Sequence, residues 1–292
     1  MVTPFIPILI GTVLGAGPVI LGLVEGVADA AASFLKLWAG RYSDAKQGRR
    51  KGLMVFGYGL SNLARPLLGL VSSWGALLLL RSLDRAGKGL RDAPRDALLA
   101  DSAHSDIHGF AYGFHRAMDN AGALGGTLLA IAALSWMHWP VGEVILWSAL
   151  PGSLVLLVLI FGVREPPRRP ELPLLKVEQE KLSALLAWSL LSLNMRRYLL
   201  VLVLFTFARA SETFILLRGN ELGMSMVQVL LLWVTLNASK SAASLPGGRM
   251  ADVFGKQRVT MISWSGYAFS FVLLGLVENG GTLWIGVIKF IM

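Results

Sequence analysis

The 292-residue sequence contains no cysteine, and only 15% of its residues are charged. The absence of cysteine excludes disulfide bonds and thiolate metal ligands in this chain. A soluble domain carries about 25% charged residues. The shortage of charge, together with 54% hydrophobic residues and a mean hydropathy of +0.61, therefore indicates a chain that folds in a membrane.

The hydrophobic residues are grouped in runs long enough to cross a bilayer. A hydrocarbon core of about 30 Å is crossed by roughly 20 mostly apolar residues in a helix. Eight segments meet this requirement, namely 17–39, 52–73, 74–91, 109–135, 140–163, 198–218, 226–247 and 259–277. Two further segments, 1–16 and 282–292, are partial spans. The sequence thus predicts an all-α membrane protein.

Lys and Arg are concentrated in alternate connectors between these runs. The connectors around 40–51, 88–95, 164–197 and 249–258 are basic, whereas those around 15–17, 72–74, 135–142 and 276–282 contain no Lys or Arg. Because basic loops remain in the cytoplasm, we predict a multi-pass protein of the cell membrane, that of a bacterium, with its N-terminus and central loop in the cytoplasm. The net charge of +9 then reflects topology, and no nucleic-acid partner is predicted.

One connector is much longer than the others. Residues 164–197 are Pro-rich at first, then carry Glu and Lys, and end in an apolar piece, Leu182 to Leu193. This composition predicts a linker with an amphipathic helix on the cytoplasmic surface. It divides the chain into an N-terminal bundle (1–163), the linker (164–197) and a C-terminal bundle (198–292).

An internal repeat relates the two bundles. The loop pattern Gly40-Arg-Tyr-Ser-Asp44, followed by Gly48-Arg49-Arg50, recurs as Gly248-Arg-Met-Ala-Asp252, followed by Gly255-Lys256-Gln257-Arg258. The two aspartates are 208 residues apart, and the same offset aligns Leu14-Gly15 with Leu222-Gly223 and Asp29 with Asn237. Duplicated halves of this kind are typical of secondary transporters.

The repeated loop resembles motif A of the major facilitator superfamily, G-x-x-x-D-R/K-x-G-x-R/K-R/K. The first copy has one extra residue between Asp44 and Gly48, and neither copy has a basic residue directly after the aspartate. The resemblance covers essentially the whole chain. It implies a two-bundle fold of which this chain holds about ten of twelve transmembrane helices, with the first and last incomplete. The offset predicts that about ten residues precede residue 1 and about eighty follow residue 292 in the complete fold.

The resemblance also implies a function and a set of gating residues. It implies a monomeric secondary transporter that moves a small-molecule substrate across the lipid bilayer by alternating access, with protons as coupling ions. The gating residues that it places in the two loops and on the fourth helix are Gly40, Asp44, Gly48, Arg49, Arg50, Arg85, Gly248, Asp252, Gly255, Lys256 and Arg258. Arg85 would pair with Asp44, and Asp252 would face the start of the fifth helix near Gly109. Alternatively, these loop charges only set topology.

Ionisable residues inside the spans are candidates for the transport site, because a charge in the membrane interior is costly. They are Glu25, Asp29, His115, Arg116, Asp119, Arg209, Glu212 and Lys240. Asp29 lies about 18 Å from the periplasmic end of its helix, near mid-membrane. We interpret Glu25, Asp29, Asp119 or Glu212 as a group that binds a proton or balances a charged substrate. In the alternative interpretation each pairs with a nearby base, such as Arg116 with Asp119 or Arg209 with Glu212, and only holds helices together.

Other functions are less well supported by the sequence. No metal-ligand cluster, catalytic triad or cofactor fingerprint is present, so we predict neither an enzyme nor a cofactor. A membrane-embedded, lipid-handling enzyme would need a polar cluster at headgroup level, for which only His104, Asp106 and His108 are available. A non-transporting receptor or scaffold on the same fold, or an inactive fragment, remain as alternatives.

Overall fold

The computed structural model describes residues 2–15, 17–45, 50–165, 191–208 and 212–275. Within these ranges the chain forms helices and no strand. The helices are α1 (Phe5–Ile8, continued by a π-turn at Leu9–Val13), α2 (Pro18–Ala45), α3 (Arg50–Leu67, followed by a 3-10 turn at Leu68–Leu70), α4 (Trp74–Ser102), α5 (His108–Ser135, preceded by a 3-10 turn at Ser105–Ile107), α6 (Val141–Leu146), α7 (Ala149–Gly162), α8 (Leu193–Ala208), α9 (Thr213–Glu221), α10 (Met226–Phe254) and α11 (Lys256–Gly275).

The helices agree with most of the predicted spans and depart from them mainly at their ends. Helix α2 continues six residues past the predicted end at residue 39, and α8 begins five residues before the predicted start at residue 198. Helix α4 continues eleven residues past the predicted end at residue 91, through Pro94 to Ser102. The predicted span 140–163 is interrupted by a turn at Trp147 and Ser148. Likewise, α10 runs seven residues past the predicted end at residue 247, through the second loop pattern. The predicted span 282–292 and most of the predicted linker helix lie outside the described residues.

Three stretches of the described chain are long and apolar enough, by length and composition, to cross a membrane. They are Pro18–Asp44, His108–Ser135 and Val141–Gly162. The predicted number of ten transmembrane helices is therefore not confirmed. Helix α4 carries charged residues along most of its length, which lowers its hydropathy although it is long enough to span.

The repeat seen in the sequence is also present in the backbone. Shifting α2 by 208 residues gives 226–253, and α10 is Met226–Phe254. The turns that precede these two helices each contain a glycine with a positive φ, Gly15 at 58° and Gly223 at 78°. Only glycine adopts this region without a steric penalty. The offset of 208 residues thus has a structural counterpart, because each half begins its long helix after the same kind of turn.

Three helix pairings organise the described part of the molecule. In the N-terminal half α4 packs between α2 and α3, and across the halves α5 packs along α10. Buried apolar side chains fill the end of the molecule where α1, α9 and the start of α10 meet, including Phe5, Ile10, Leu216 and Leu230. The buried charges lie further along α2 and α4, toward the opposite end. The apolar core and the charged residues are therefore separated along the helices.

Candidate functional site

A buried carboxylate on α2 is bound by two arginines of α4. Glu25 accepts hydrogen bonds from Nε and Nη2 of Arg81, at 3.0 and 3.1 Å, and from Nη2 of Arg85 at 3.0 Å. The side chains of Glu25 and Arg81 are only 3% and 2% exposed. A buried ion pair is retained only if its geometry and its additional hydrogen bonds compensate for desolvation. The bidentate contact meets this requirement, so Glu25 is a fixed part of the site.

The charged network continues from α4 to α3. The carboxylate of Asp84 accepts a hydrogen bond from Nε of Arg65 at 2.7 Å and lies 3.4 Å from Nη1 of Arg81. The helices approach closely enough for these bonds because glycines face each other: a Cβ at Gly87 would lie 2.5 Å from the carbonyl oxygen of Gly57. Small residues at such contacts let helix backbones approach each other.

Asp29 lies one turn further along α2 in a different environment. Its carboxylate is 3.5 Å from Nε of Arg85, and its side chain is 59% exposed. It therefore shares Arg85 with Glu25 but is held by one long contact. The expected pairing of Arg85 with Asp44 is wrong in this structure, because Arg85 contacts Glu25 and Asp29, whereas Asp44 lies fifteen residues beyond Asp29 at the end of α2.

A second cluster of charged residues joins the C-terminal half of α4 to the N-terminal half of α5. Asp119 lies 3.5 Å from Nε2 of His115, 3.8 Å from Arg95 and 4.0 Å from Arg116. Arg95 also contacts Asp92 on its own helix at 3.5 Å. The structure thus brings the three predicted residues of α5 together, and it adds Arg95 from α4, which the sequence interpretation had assigned to a connector.

The C-terminal half contributes one ion pair. Lys240 of α10 donates to the carboxylate of Glu212, at the start of α9, and its amino group lies 5.7 Å from the centre of the Trp233 ring. The predicted alternative partner of Glu212, Arg209, lies outside the described residues. At the position equivalent to Asp29, Asn237 is buried and donates to the carbonyl of Trp233 in its own helix.

The second loop motif forms the contact expected for it. The carboxylate of Asp252 accepts hydrogen bonds from the backbone N–H groups of Gly109 and Phe110, at 2.9 and 2.8 Å. These are orphan donors at the start of α5, where the helix dipole also favours a negative charge. A Cβ at Gly248 would lie 2.3 Å from the carbonyl oxygen of Gly109. Asp252 and Gly248 of the motif therefore both lie at the contact between the two halves.

The remaining motif residues are less tightly held or not described. Gly48 and Arg49 lie outside the described residues. Arg50 forms an ion pair with Asp101 at the end of α4, and a Cβ at Gly40 would meet only the Cβ of Ala93, at 3.7 Å. Gly255 separates α10 from α11 with a φ of 88°. Lys256 and Arg258, in the first turn of α11, are exposed.

Four charged residues of the site were not among those predicted from the sequence: Arg65, Arg81, Asp84 and Arg95. The sequence analysis placed Arg81 and Asp84 in the predicted span 74–91 without making them candidates for the site, and Arg81 is separated from its partner Glu25 by 56 residues. One pattern would have found Arg81 and Arg95. Arg81, Arg85, Lys88, Asp92 and Arg95 follow each other at alternating spacings of four and three residues, which places them on one face of a helix.

Comparison with known proteins agrees with this geometry. The sequence matches the family described as Major Facilitator Superfamily over residues 1–292. The chain belongs to the major facilitator superfamily. It is 30% identical, over 286 residues and 96% of its length, to an uncharacterized MFS-type transporter, MJ1317, of the archaeon Methanocaldococcus jannaschii. It is therefore a multi-pass membrane protein of a family of transporters.

Two other relatives match about half of this superfamily member. The uncharacterized proteins Mb2288 of Mycobacterium bovis and Rv2265 of Mycobacterium tuberculosis are each 31% identical to it over 155 residues, which is 53% of the chain. The chain spans 67% of the length of the archaeal relative and the matched segment 38% of each mycobacterial one. Among the described residues, no group of three or more His, Asp and Glu is arranged to hold a metal ion.

Proposed function

We propose that this protein is a secondary transporter of a small solute and that the charged residues between α2 and α4 form part of its transport site. The observation that carries the proposal is Glu25, buried and bound by Arg81 and Arg85 inside an apolar helix. Ionisable groups in the membrane interior are retained mainly at sites of function. Membership of a transporter family, and similarity to a protein named as an MFS-type transporter, support the same conclusion.

Within this site we assign proton coupling to Asp29. Glu25 is held by three hydrogen bonds, so its protonation would leave two guanidinium groups without their main partner. Asp29 has one long contact to Arg85 and a largely exposed side chain. Protonation of Asp29 would therefore leave Arg85 bound to Glu25 alone, at low cost. Glu212, paired with Lys240, is the corresponding carboxylate of the C-terminal half.

Alternating access would depend on the contact between α5 and α10. The Asp252 carboxylate holds the start of α5, and the backbones meet at Gly109 and Gly248. The Asp252 cap and the Gly109–Gly248 contact lie at the end of the molecule that the distribution of basic loops assigns to the cytoplasm. Opening this end requires the loss of two charge-assisted hydrogen bonds. The contact is thus suited to hold the cytoplasmic side closed in one state of the cycle.

The experiment is solute flux into proteoliposomes that contain the full-length protein. Solutes are first selected by their ability to raise the unfolding temperature of the purified protein, and flux is then driven by an imposed proton gradient. We expect Asp29→Asn and Glu212→Gln to abolish the dependence of flux on the proton gradient. Glu143→Gln is the control, since Glu143 is an exposed carboxylate in the first turn of α6.

Two results would contradict the proposal at different levels. Gradient-driven flux that is unchanged in both Asp29→Asn and Glu212→Gln would exclude the assigned coupling residues. A protein that is folded and correctly inserted, but moves none of the solutes that stabilise it under either a proton or a solute gradient, would contradict transport itself and favour a receptor or scaffold role.

A further inference from the structure

Six ionisable side chains of the N-terminal half are joined in one continuous series of ion pairs. In order of contact they are Arg65, Asp84, Arg81, Glu25, Arg85 and Asp29. Bases and acids alternate, and the shortest nitrogen–oxygen distances between neighbours lie between 2.7 and 3.5 Å. This ion-pair series runs from α3 through α4 to α2.

The middle of the ion-pair series is buried, whereas its two ends reach the surface. Asp84, Arg81 and Glu25 are buried, but the side chains of Arg65 and Asp29 are 41% and 59% exposed. Charges inside a protein are screened much less than charges in water. A change of charge at either exposed end therefore acts strongly on the buried members.

Each buried carboxylate is shared between two arginines. Asp84 lies between Arg65 and Arg81. Glu25 lies in the same way between Arg81 and Arg85. A carboxylate that loses one arginine is free to bind the other more closely. Without Arg65, Asp84 would bind Arg81 more closely, and Glu25 would then shift toward Arg85.

Asp29 depends on what Glu25 leaves of Arg85. In the described part of the chain the ion pair of Asp29 is with Arg85, at 3.5 Å, which is longer than a good hydrogen bond. Nε of Arg85 is buried and has no hydrogen-bond partner among the described residues. The next base along α2, Lys36, is paired with Asp96. Arg85 can therefore approach Asp29 when Glu25 binds it less, and withdraw when Glu25 binds it more.

We propose that Arg65 and Asp84 are positioning residues for Asp29, and that they set through the ion-pair series how tightly Arg85 holds it. This inference rests on the proposed function, in which Asp29 takes up the coupling proton. It adds to the coupling site a residue of α3 whose own ion pair is with Asp84. The two residues act in opposite directions, because Arg65 draws Asp84 away from Arg81 and Asp84 draws Arg81 away from Glu25.

A thiol at position 29 tests the proposal without a transported solute. The chain contains no cysteine, and in the full-length protein any cysteine outside residues 1–292 is replaced by serine. In Asp29→Cys the reactive thiolate takes the place of the carboxylate, and the pH of half-maximal alkylation by a neutral maleimide measures how strongly Arg85 stabilises it. Adding Arg65→Gln should raise this pH by about half a unit or more, and adding Asp84→Asn should lower it by a similar amount.

Three further variants separate the ion-pair series from other effects of charge. If Arg65 acts through Asp84, adding Arg65→Gln to Asp29→Cys/Asp84→Asn should not change the pH of half-maximal alkylation, whereas a direct effect of the lost charge would still raise it. Arg65→Lys keeps a cation beside Asp84 and should keep the pH of Asp29→Cys. Arg218→Gln is the control, since Arg218 is paired with Glu221 in the C-terminal half, and it should change nothing.

Two results would overturn the proposal. One is an unchanged pH of half-maximal alkylation in Asp29→Cys/Arg65→Gln, and the other is an equal rise with and without the carboxylate of Asp84. If Asp84→Asn does not fold, the comparison of Arg65→Gln with Arg65→Lys decides, and equal shifts in these two variants would overturn the proposal.

The outcomes also distinguish this inference from the proposed function. If Arg65→Gln shifts the alkylation of position 29 but Asp29→Asn leaves gradient-driven flux unchanged, the positioning role stands and the coupling role of Asp29 is wrong. If Asp29→Asn abolishes the dependence of flux on the gradient but Arg65→Gln leaves the alkylation unchanged, the coupling role stands and the positioning role is wrong.

Discussion

At the scale of single residues, Glu25 and Asp29 show how similar side chains on one helix acquire different roles. Both are acids four residues apart on α2, and both contact Arg85. Glu25 is enclosed and has three hydrogen bonds, so its charge belongs to the structure of the site. Asp29 is exposed and has one contact at 3.5 Å, so its charge can be lost without leaving a buried cation unpaired.

This difference predicts unequal effects on stability. Glu25→Gln leaves the guanidinium groups of Arg81 and Arg85 without their main counter-charge, and we expect a loss of about 3 kcal/mol or more in the free energy of unfolding. Asp29→Asn removes a partly exposed contact and should cost no more than about 1 kcal/mol. The free energy of unfolding of each variant is measured in detergent, with circular dichroism as the probe. Equal losses for the two variants would show that Asp29 is as firmly held as Glu25.

The sequence was sufficient to find the acids and insufficient to find their partners. An acidic residue inside an apolar run is visible because its cost in the membrane is known, so Glu25 and Asp29 were both predicted. Arg81 lies 56 residues from Glu25, and only the packing of α2 on α4 brings them together. The expected partner of Asp44, Arg85, was assigned from the family resemblance, and the structure placed it elsewhere because Glu25 and Asp29 lie nearer on the same face.

At the scale of helices, the two copies of the loop motif differ in what they pack against. Gly248 of α10 meets the backbone of α5, where an added Cβ would lie 2.3 Å from the carbonyl oxygen of Gly109. Gly40, the equivalent residue of α2, has room for a Cβ, since the nearest atom is 3.7 Å away in Ala93. Glycine is thus required by close helix contact in one copy and not in the other.

A matched set of alanine substitutions tests this asymmetry. Gly248→Ala should separate α5 from α10 and cost about 1–3 kcal/mol, the usual effect of overpacking. Gly40→Ala should be neutral or slightly stabilising, because alanine favours a helix over glycine. Gly247→Ala is the control beside Gly248, since nothing lies within 4 Å of its added Cβ. The unfolding temperature of each variant is measured in detergent. An unchanged unfolding temperature for Gly248→Ala would contradict the close contact between α5 and α10.

The cap of α5 gives a second prediction at this scale. Asp252→Ala removes the acceptor from two backbone N–H groups at the start of α5, and loss of an N-cap acceptor costs about 0.5–2 kcal/mol. Because the cap comes from the other half of the molecule, we expect faster amide hydrogen exchange at Gly109 and Phe110 together with freer motion of the α5–α10 contact. Unchanged exchange at these two amides would show that another group caps the helix.

The ends of the helices were harder to predict than their existence. The predicted end of α4 at residue 91 followed from the assumption that dense charge marks a loop. The structure continues the helix to Ser102 because Arg95 pairs with Asp92 on its own helix and with Asp119 on α5. Charges that are paired with each other and with a neighbouring helix do not end a helix, and the sequence alone does not show that pairing.

At the scale of the whole molecule, the repeat determines the architecture, and the basic connectors predict the orientation. The 208-residue offset was read from the sequence alone, and α2 and α10 follow it to within one residue at their ends. The orientation in the membrane stays a prediction, based on the basic connectors.

Single cysteines in the cysteine-free chain test this orientation. Met137→Cys lies in a connector without Lys or Arg, and Arg164→Cys lies at the start of the long basic connector. In intact bacterial cells, a membrane-impermeant maleimide should label position 137 and should label position 164 only after permeabilisation. Labelling of position 164 in intact cells would reverse the predicted topology.

The most direct test of alternating access joins the two halves at the α5–α10 contact. The Arg249 guanidinium lies 5.1 Å from the centre of the Phe110 ring, so cysteines at these positions can be linked by a short bifunctional thiol reagent. In proteoliposomes of the full-length protein with a transported solute, linked Phe110→Cys/Arg249→Cys should lose flux, and each single variant treated in the same way should keep it. Full flux in a completely linked double variant would show that this contact does not open during transport.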